Sequence, residues 1–536
     1  MPQYSLLDEP LIRARQVDGG RAVKYTLPDL FVALAGDEVR DFPALRPHQR
    51  HPWHAFLVQL AALALHHAKR EQPFATSREW RDALLALDPA NPDGEAWCLI
   101  APHDKPAFMQ APVPGNDVSD WKSIKDKTTI AAPDEMDILI TSRNHDIKAS
   151  RMRQADPDDW IMALISLQTQ EGFLGAGNYG ISRMNGGFAS RPALGVVPKG
   201  HWGRRWQRDV ASLIEHRPEI VKSMGLKNAN GYGLLWLTPW DGVSSLAFSA
   251  LDPFYIELCR RVRLTWSTRA NHISAITACS KTTRVEAKGR NGITGDAWIP
   301  IDPAKGKALT IGHDGFHYKL AAELLFGSKF QPPIAQLIRA TDGTDGIVAL
   351  AQGITRGQGK TEGYHERRIP ISPKVCSLLR QNKTNQLAKI TGERIYAIAQ
   401  ICYVLKSSIE TLFDNAKTRK NPGDVPEDKK ARASKITKQF EQTEDALFFD
   451  DLNTEIDAEH PDEVRLQWML VMVGRAETIL KNSFTSGPQS GEQRYRARSA
   501  ALSRFHGSLR SEKTLPTLAS YYRQLTTNKE IADDPA

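Results

Sequence analysis

The segment 378–412, LLRQNKTNQLAKITGERIYAIAQICYVLKSSIETL, sets Leu378, Leu379, Leu387, Ile390, Ile398, Ile401, Val404, Leu405, Ile409 and Leu412 at three- and four-residue steps. That period matches one face of an α-helix, so the segment is expected to be a long amphipathic helix. Three more helices are expected after it: one over 431–449, one over Pro461–Phe484 with Trp468, Met469, Met472 and Ile479 on one side, and one from Gly491 ending before Thr526. NPGD at 421–424 and SGPQSG at 486–491 are helix breakers between them. Four helices with short links pack most simply as an antiparallel four-helix bundle, here expected over 373–536.

Residues 1–372 read differently. Short apolar runs bounded by turn residues, as strands are, occur at 5–14 (SLLDEPLIRA), 136–141 (MDILIT), 231–240 (GYGLLWLTPW) and 296–303 (DAWIPIDP). Helical patterns lie between them, clearest at 54–68 (HAFLVQLAALALHHA) and 158–170 (DDWIMALISLQTQ). A doubly wound sheet alternates its elements more regularly, so the fold class expected is α+β, a large mixed domain over 1–372 followed by the bundle.

The 536 residues include 70 basic and 62 acidic side chains, a net charge of +8, with 41% hydrophobic and 25% charged residues. This is globular composition, and the charge is a faint pointer to a polyanionic partner. The longest apolar run, Phe56–Leu65, falls well short of the ~20 residues a membrane helix needs. MPQYSLLDEPLI has no basic region ahead of its apolar residues, so a secretion signal is not expected. The five cysteines, Cys98, Cys259, Cys279, Cys376 and Cys402, include no CxxC pair. They read as reduced thiols of a cytoplasmic protein, with neither a disulfide framework nor a zinc site.

Motifs that carry catalysis fail on context. Gly175, Gly177 and Gly180 in GAGNYG spell G-x-G-x-x-G, but a helical pattern precedes them and ISRMNGGFASRP, which cannot sustain a helix, follows. Between Gly353 and Gly359-Lys360-Thr361 stand five residues where a phosphate-binding loop has four, and the extended EGYHERRIPISP follows. His365-Glu366 lacks the second histidine, because position 369 is Ile. His48/His51 and His66/His67 lie beside apolar helix residues, where capping or packing is the plainer role. No serine, cysteine or carboxylate stands in a nucleophile setting. The sequence reads as non-catalytic, without cofactor or metal.

Three partly basic loops remain. GFLGAGNYGISRMNGG at 172–187 combines six glycines with the donors Asn178, Tyr179, Ser182, Arg183 and Asn185. TSRNHDIKASRMR at 141–153 sets Arg143, His145, Lys148, Arg151 and Arg153 against Asp146 alone, a composition suited to phosphates. Gln358 stands between two glycines, where a turn can push it outward as a wedge between bases. Solvated surface loops remain the bland alternative for the first two, and a plain hairpin turn for the third.

Together these loops resemble the large subunit of the type I-E CRISPR Cascade complex, the CasA family. The resemblance is carried by SLLDEPLIRARQVDGG and YTLPDLF near the start, PAFMQ at 106–110, the glycine-rich loop, FYIELCRRVRL at 254–264, GDAWIPID at 295–302 and GQGKTEGYHERRIPI at 357–371. It implies recognition of a protospacer-adjacent motif (PAM) in double-stranded DNA, from the minor groove, and the start of duplex opening for guide crRNA pairing. It assigns the groove contact to Gly175, Ala176, Gly177, Asn178 and Lys288, with Lys281 as the other lysine. Gln358, flanked by Gly359, falls on the strand-separating wedge. Arg143, Asn144, His145 and Lys148 fall on the loop that meets the guide-RNA end and scans DNA. In the bundle, Arg494, Arg498 and Arg504 are expected to line up along one helix for the displaced strand's phosphates. Implied partners are the backbone, small and crRNA-end-capping subunits and a helicase-nuclease. Some members carry a cysteine cluster where this chain has only Cys259 and Cys279. A stand-alone nuclease and a protein-only structural adaptor are the rival readings.

Overall fold

In the computed structural model, which describes residues 3–119, 121, 130–137, 155–186, 191–267, 271–357, 360–414 and 425–532, the chain begins on a three-stranded sheet. β1 (Ile12–Gln16) is its centre, with β2 (Ala22–Tyr25) and β3 (Val39–Asp41) antiparallel on either side. Between the outer strands runs α1 (Leu27–Ala35), started by Thr26, whose side chain accepts the Asp29 amide at 3.1 Å, and by Pro28 in the first turn, which needs no amide partner there. The expected strand at 5–14 starts only at Ile12, because Ser5 is bridged to Cys98 and the residues just after it form a turn.

The run at 56–65 lies in α2 (Arg50–His67), in which every residue from His51 to Leu65 is buried. A helix apolar on all sides must be packed on all sides. α2 therefore forms the spine of the core, against α4 (Pro157–Gln170), α5 (Trp202–Met224) and the later strand Leu251–Ile256, with α3 (Ser77–Leu85) beside it. Its one buried amide side chain, Gln59, donates to Tyr255 O at 3.0 Å. The histidines of this region are structural: His48 Nε2 lies 2.7 Å from Asp137, His54 Nε2 lies 2.9 Å from Asp209, and the His51 ring packs edge-on to Trp298. α4 starts where Arg13 gathers Asp156, Asp158 and Asp159, at 2.7, 2.7 and 3.3 Å.

The remaining strands form small sheets. β4 (Ala193–Val197) pairs antiparallel with a long strand near the end of the region, β5 (Tyr232–Leu234) runs parallel to β7 (Leu251–Ile256), and β6 (Leu246–Ala247) runs parallel to β10 (Val285–Glu286). β8 (Arg261–Ser267) and β9 (His272–Ala278) form an antiparallel ribbon with Leu264 opposite Ala275. β11 (Ile301–Asp302) and β12 (Lys307–Ala308) close a short hairpin, and β13 (Ile347–Gly357) and β14 (Lys360–Ile371) join β4 in the order β14-β13-β4. The α+β class thus holds, with the strands of 231–240 and 296–303 shorter than expected. Those segments use their apolar residues as anchors instead: Trp236, Trp240 and Trp298 are fully buried, and the Trp236 indole donates to Ala96 O at 3.1 Å.

Residues 1–316 with 328–369 form one compact unit, and 317–327 with 370–536 form the other. The second is helical: α6 (Tyr318–Phe326), α7 (Pro373–Arg380), α8 (Thr384–Phe413), α9 (Glu427–Asp457), α10 (Pro461–Asn482), α11 (Gly491–Leu509) and α12 (Pro516–Ala532). α8, α9, α10 and α11 are the long bundle helices. Two expected helices are interrupted. Asn382 takes φ 55, and the amides of Asn382 and Lys383 turn back to Leu379 O and Leu378 O, a left-handed cap that ends α7 before α8. Pro516 restricts the residue before it, and α12 starts there, separately from α11. α9 runs past its apolar pattern with an acid, Glu455, at a core position near its end, and a second acid, Glu444, is buried within the expected stretch. Glu444 meets Arg475 at 2.8 Å, and Glu455 meets Arg465 at 2.8 Å and the fully buried Arg394, which stacks 3.8 Å over Trp468. The first unit also holds the surface that the sequence singled out.

Candidate nucleic-acid interface

α4 ends at Gln170, and the glycine-rich loop follows. Its base is held from below by Arg260, which donates to Gly172 O at 2.7 Å and to Tyr179 O. The Ile181 amide returns to Glu171 O at 3.0 Å, so the loop closes on itself. Within it, Asn178 N donates to Gly175 O at 3.0 Å and Leu174 N to Asn178 O at 2.9 Å, a tight turn across Gly175–Asn178. Gly175 and Gly177 take φ 116 and φ 83, values that only glycine adopts at little cost. Gly177 is confined twice over: a Cβ there would lie 2.7 Å from Cys279 Cβ, and its carbonyl accepts the Ser280 amide at 2.9 Å. Leu174 and Ala176 are exposed at the tip, with the backbone between them.

Three of the loop's expected donors turn inward. Arg183 is buried, stacked 3.9 Å from the Tyr255 ring and paired with Glu257 and Asp296 at 3.7 and 3.5 Å. Ser182 donates to Glu257 at 2.9 Å, and the Asn185 amide donates to Ala308 O at 3.1 Å. Burial works against the Asp296 charge, but Arg191 (2.6 Å) and Arg183 outweigh it and hold the carboxyl below its usual range. This buried charge cluster is a foundation that fixes the loop's C-terminal half. Of the expected donors, Asn178 and Tyr179 stay half-exposed.

Lys288 opens a 3₁₀ turn, Lys288–Arg290, and is exposed; Arg290 in the same turn stacks 3.8 Å over Phe248. Gly292, just beyond, packs on the backbone of Met184 and Asn185. Lys281, also exposed, directly follows Ser280, the residue bonded to Gly177, and its own amide donates to Gly242 O at 2.6 Å. Lys281 thus neighbours the middle of the glycine loop, and the segment after Lys288 meets its C-terminal part. Arg261, which donates to Cys279 O at 3.1 Å, adds a third cation that the sequence did not single out. Its signal was hidden, because it reaches the loop only through the β8–β9 ribbon. The two cysteines differ: burial pushes Cys259 up to about 12, and its thiol donates to Leu167 O, while Cys279 is exposed beneath Gly177.

In the second unit, the exposed face of α11 carries a groove of about 650 Å³ lined by Tyr495, Arg498, Ser499, Leu502, His506 and Arg510, among others. Tyr495 is 66% exposed, a platform of the kind bases stack on. Arg494 leans on it, donating to its hydroxyl at 3.1 Å, and Arg498 packs over Phe484. Arg504 does not join this strip. It lies six residues past Arg498, roughly 120° round the helix, and its charge acts instead on Glu410 of α8. The basic residues sharing the groove are Arg498, His506 and Arg510.

No protein-family model matches the sequence, and no curated protein matches it. Solved structures do. CRISPR-associated protein Cse1 from Acidimicrobium ferrooxidans superposes with a TM-score of 0.63 at 16% identity, over 95% of this chain and 98% of that one. CasA from Thermus thermophilus gives 0.62 at 14%, over 95% and 99%. The chain has the Cse1 fold. Cse1 from Thermobifida fusca agrees, with a TM-score of 0.62 at 13% identity over 96% and 98% of the two chains. The shared Cse1 fold therefore runs through both units, and neither is an addition to it.

Of the sequence-expected sites on this Cse1 fold, the structure sets Gly177 of the 175–178 turn against Cys279 and Ser280, next to Lys281, while the segment just after Lys288 meets the loop at Met184 and Asn185. Gln358 and Gly359, between β13 and β14 in sequence, lie outside the described residues, as do Arg143, Asn144, His145 and Lys148. No helix of the described residues is long and apolar enough to cross a membrane.

Proposed function

We propose that this chain is the non-catalytic large subunit of a type I-E CRISPR Cascade complex in the cytoplasm, which reads the PAM in duplex DNA and starts its opening. The observation that carries the reading is the end-to-end Cse1 fold, covering 95% of this chain and 98% of the Acidimicrobium ferrooxidans protein. The glycine turn supports it locally. A turn with Gly175 and Gly177 at φ 116 and φ 83 and only Ala176 between them suits a narrow groove where larger side chains would not fit. In this reading the backbone of Gly175–Asn178 meets the minor groove, and Lys288 or Lys281 neutralises phosphate or reaches a base edge beside it. Gln358, supported by Gly359, wedges the first target bases apart, and Arg143, Asn144, His145 and Lys148 meet the guide-RNA end. Arg494 and Arg498 receive the displaced strand. The helical unit also meets the small subunits and the helicase-nuclease. Sequence beyond the flank is read by guide-RNA pairing.

The test is assembly. Expressed with a guide RNA and the backbone, small and end-capping subunits of its own system, the tagged chain is expected to co-purify with all of them. A chain that stays alone, or that cleaves duplex DNA with magnesium unaided, overturns the reading in favour of a stand-alone nuclease. Assembly without any salt-sensitive affinity for duplex DNA would leave a protein-only adaptor.

A further inference from the structure

A pocket of about 430 Å³ opens in the first unit, among β3, the start of α5 and β14, and shares no residue with the glycine loop. Five guanidinium groups line it, those of Arg15, Arg40, Arg50, Arg205 and Arg368, against two carboxylates, Asp41 and Glu366. Arginine does not lose its proton in proteins, so five positive charges face two negative ones, an excess of three. The two acids are already engaged. Asp41 lies 3.3 Å from Arg15, and Glu366 accepts from Gln352 at 2.9 Å and Tyr364 at 2.7 Å, with Arg50 3.8 Å away. Arg40 and Arg368 are exposed, and their guanidinium groups pair with no acid among the described residues.

Arg205 points to a ligand. Its side chain is 10% exposed, and its Nε is sealed from solvent without a hydrogen-bond partner. The carboxylate beside it, Asp209, stands 4.0 Å off and is committed to His54 at 2.9 Å, Arg208 at 2.7 Å and Trp298 at 3.3 Å. A buried cation whose nearest acid stands 4.0 Å off is costly to keep, and an anion in the pocket that Arg205 lines would offset its charge. Guanidinium forks match phosphate oxygens in pairs. The space is far larger than one phosphate group, and its other wall is apolar, built from Phe42, Leu45, Trp202 and Leu350. Such a wall suits the sugar and base of a nucleotide rather than a second anion.

We propose that this pocket binds a nucleotide through its phosphate, with Arg40, Arg205 and Arg368 as the phosphate contacts and Trp202 on the side of the base. A free nucleoside monophosphate and the phosphorylated 5′ end of a strand present the same chemistry. The proposal is independent of the glycine loop and of the Cascade reading.

The test uses the full chain and measures binding by calorimetry at low salt. The probes are AMP, adenosine, inorganic phosphate, and a tetranucleotide with a 5′-phosphate or a 5′-hydroxyl. Whichever phosphorylated probe the pocket takes is expected to bind about tenfold or more tightly than its unphosphorylated twin. The exposed-residue double variant Arg40→Gln/Arg368→Gln is expected to lose that margin with an unchanged melting temperature. Preference for AMP assigns the site to free nucleotides, and preference for the tetranucleotide assigns it to strand ends. Equal binding of each phosphorylated probe and its twin, inorganic phosphate binding as tightly as AMP, or no effect of the double variant overturns the proposal.

Discussion

Gly177→Ala is the sharpest perturbation of the glycine loop. Gly177 sits at φ 83, where the left-handed backbone costs an L-residue roughly 1–2 kcal/mol. The new methyl would also stand 2.7 Å from Cys279 Cβ and 2.9 Å from its sulfur, closer than carbon atoms pack. Overpacking of this kind costs about 1–3 kcal/mol when the surroundings cannot give. The loop's foundation through Arg183, Ser182 and Asn185 resists the shift, so the strain falls on the turn that carries the exposed tip. If binding needs the native turn, a penalty of about 2 kcal/mol lowers flank-dependent duplex affinity about 30-fold. The assay is duplex binding by the assembled complex, with matched and altered flanks, read by fluorescence anisotropy beside a thermal melt. Adding Cys279→Gly removes the facing carbon and is expected to restore part of the loss, leaving only the backbone term. Gly289→Ala, where a Cβ meets open space and φ is not positive, is the silent control. Wild-type affinity and stability in Gly177→Ala, or equal losses in Gly289→Ala, would refute the reasoning.

Three further outcomes follow from the same geometry. Glu455→Ala leaves Arg394 buried without its acid, and is expected to cost about 3–5 kcal/mol in urea unfolding; a loss under about 1 kcal/mol contradicts the buried pairing. Burial, with Arg205 adding to it, lowers His54 from 6.5 to about 4. A depressed histidine is neutral in the fold and charged in the unfolded chain below 6.5, so its stability contribution is full above pH 6.5 and lost as pH falls toward 4. Between about pH 7 and pH 5 that amounts to about 2 kcal/mol, which His54→Gln is expected to remove from the pH slope; an unchanged slope contradicts it. On α11, Arg498→Gln and Arg510→Gln are expected to weaken single-strand binding and flatten its salt dependence, while Arg504→Gln leaves both unchanged, with the reverse order contradicting the groove.

How far the sequence could be read depended on whether its signals were local. α2 and α4 announce themselves because their burial needs only a continuous apolar run. α9 announces itself only over 431–449, because Glu455 beyond that stretch looks like a surface residue until Arg465 and Arg394 meet it from other helices. The break at Asn382 hides in a run whose apolar spacing continues on both sides. For the site, a dense run of glycines and a turn with Gly175 and Gly177 at positive φ go together, and the loop was legible. The inward turn of Arg183 was not, since Tyr255, Glu257 and Asp296 are remote from it along the chain. The Arg504 miss is of another kind, because its six-residue spacing from Arg498 already put it on a different face of the helix.

The most direct test of the central claim is the rate of duplex opening by the assembled complex as the flank beside one target is varied, with the guide-matched sequence held constant. A flank reader at the glycine loop predicts opening that depends steeply on the flank in linear duplex and loses that dependence on a pre-melted target. Opening rates that ignore the flank in linear duplex would contradict it.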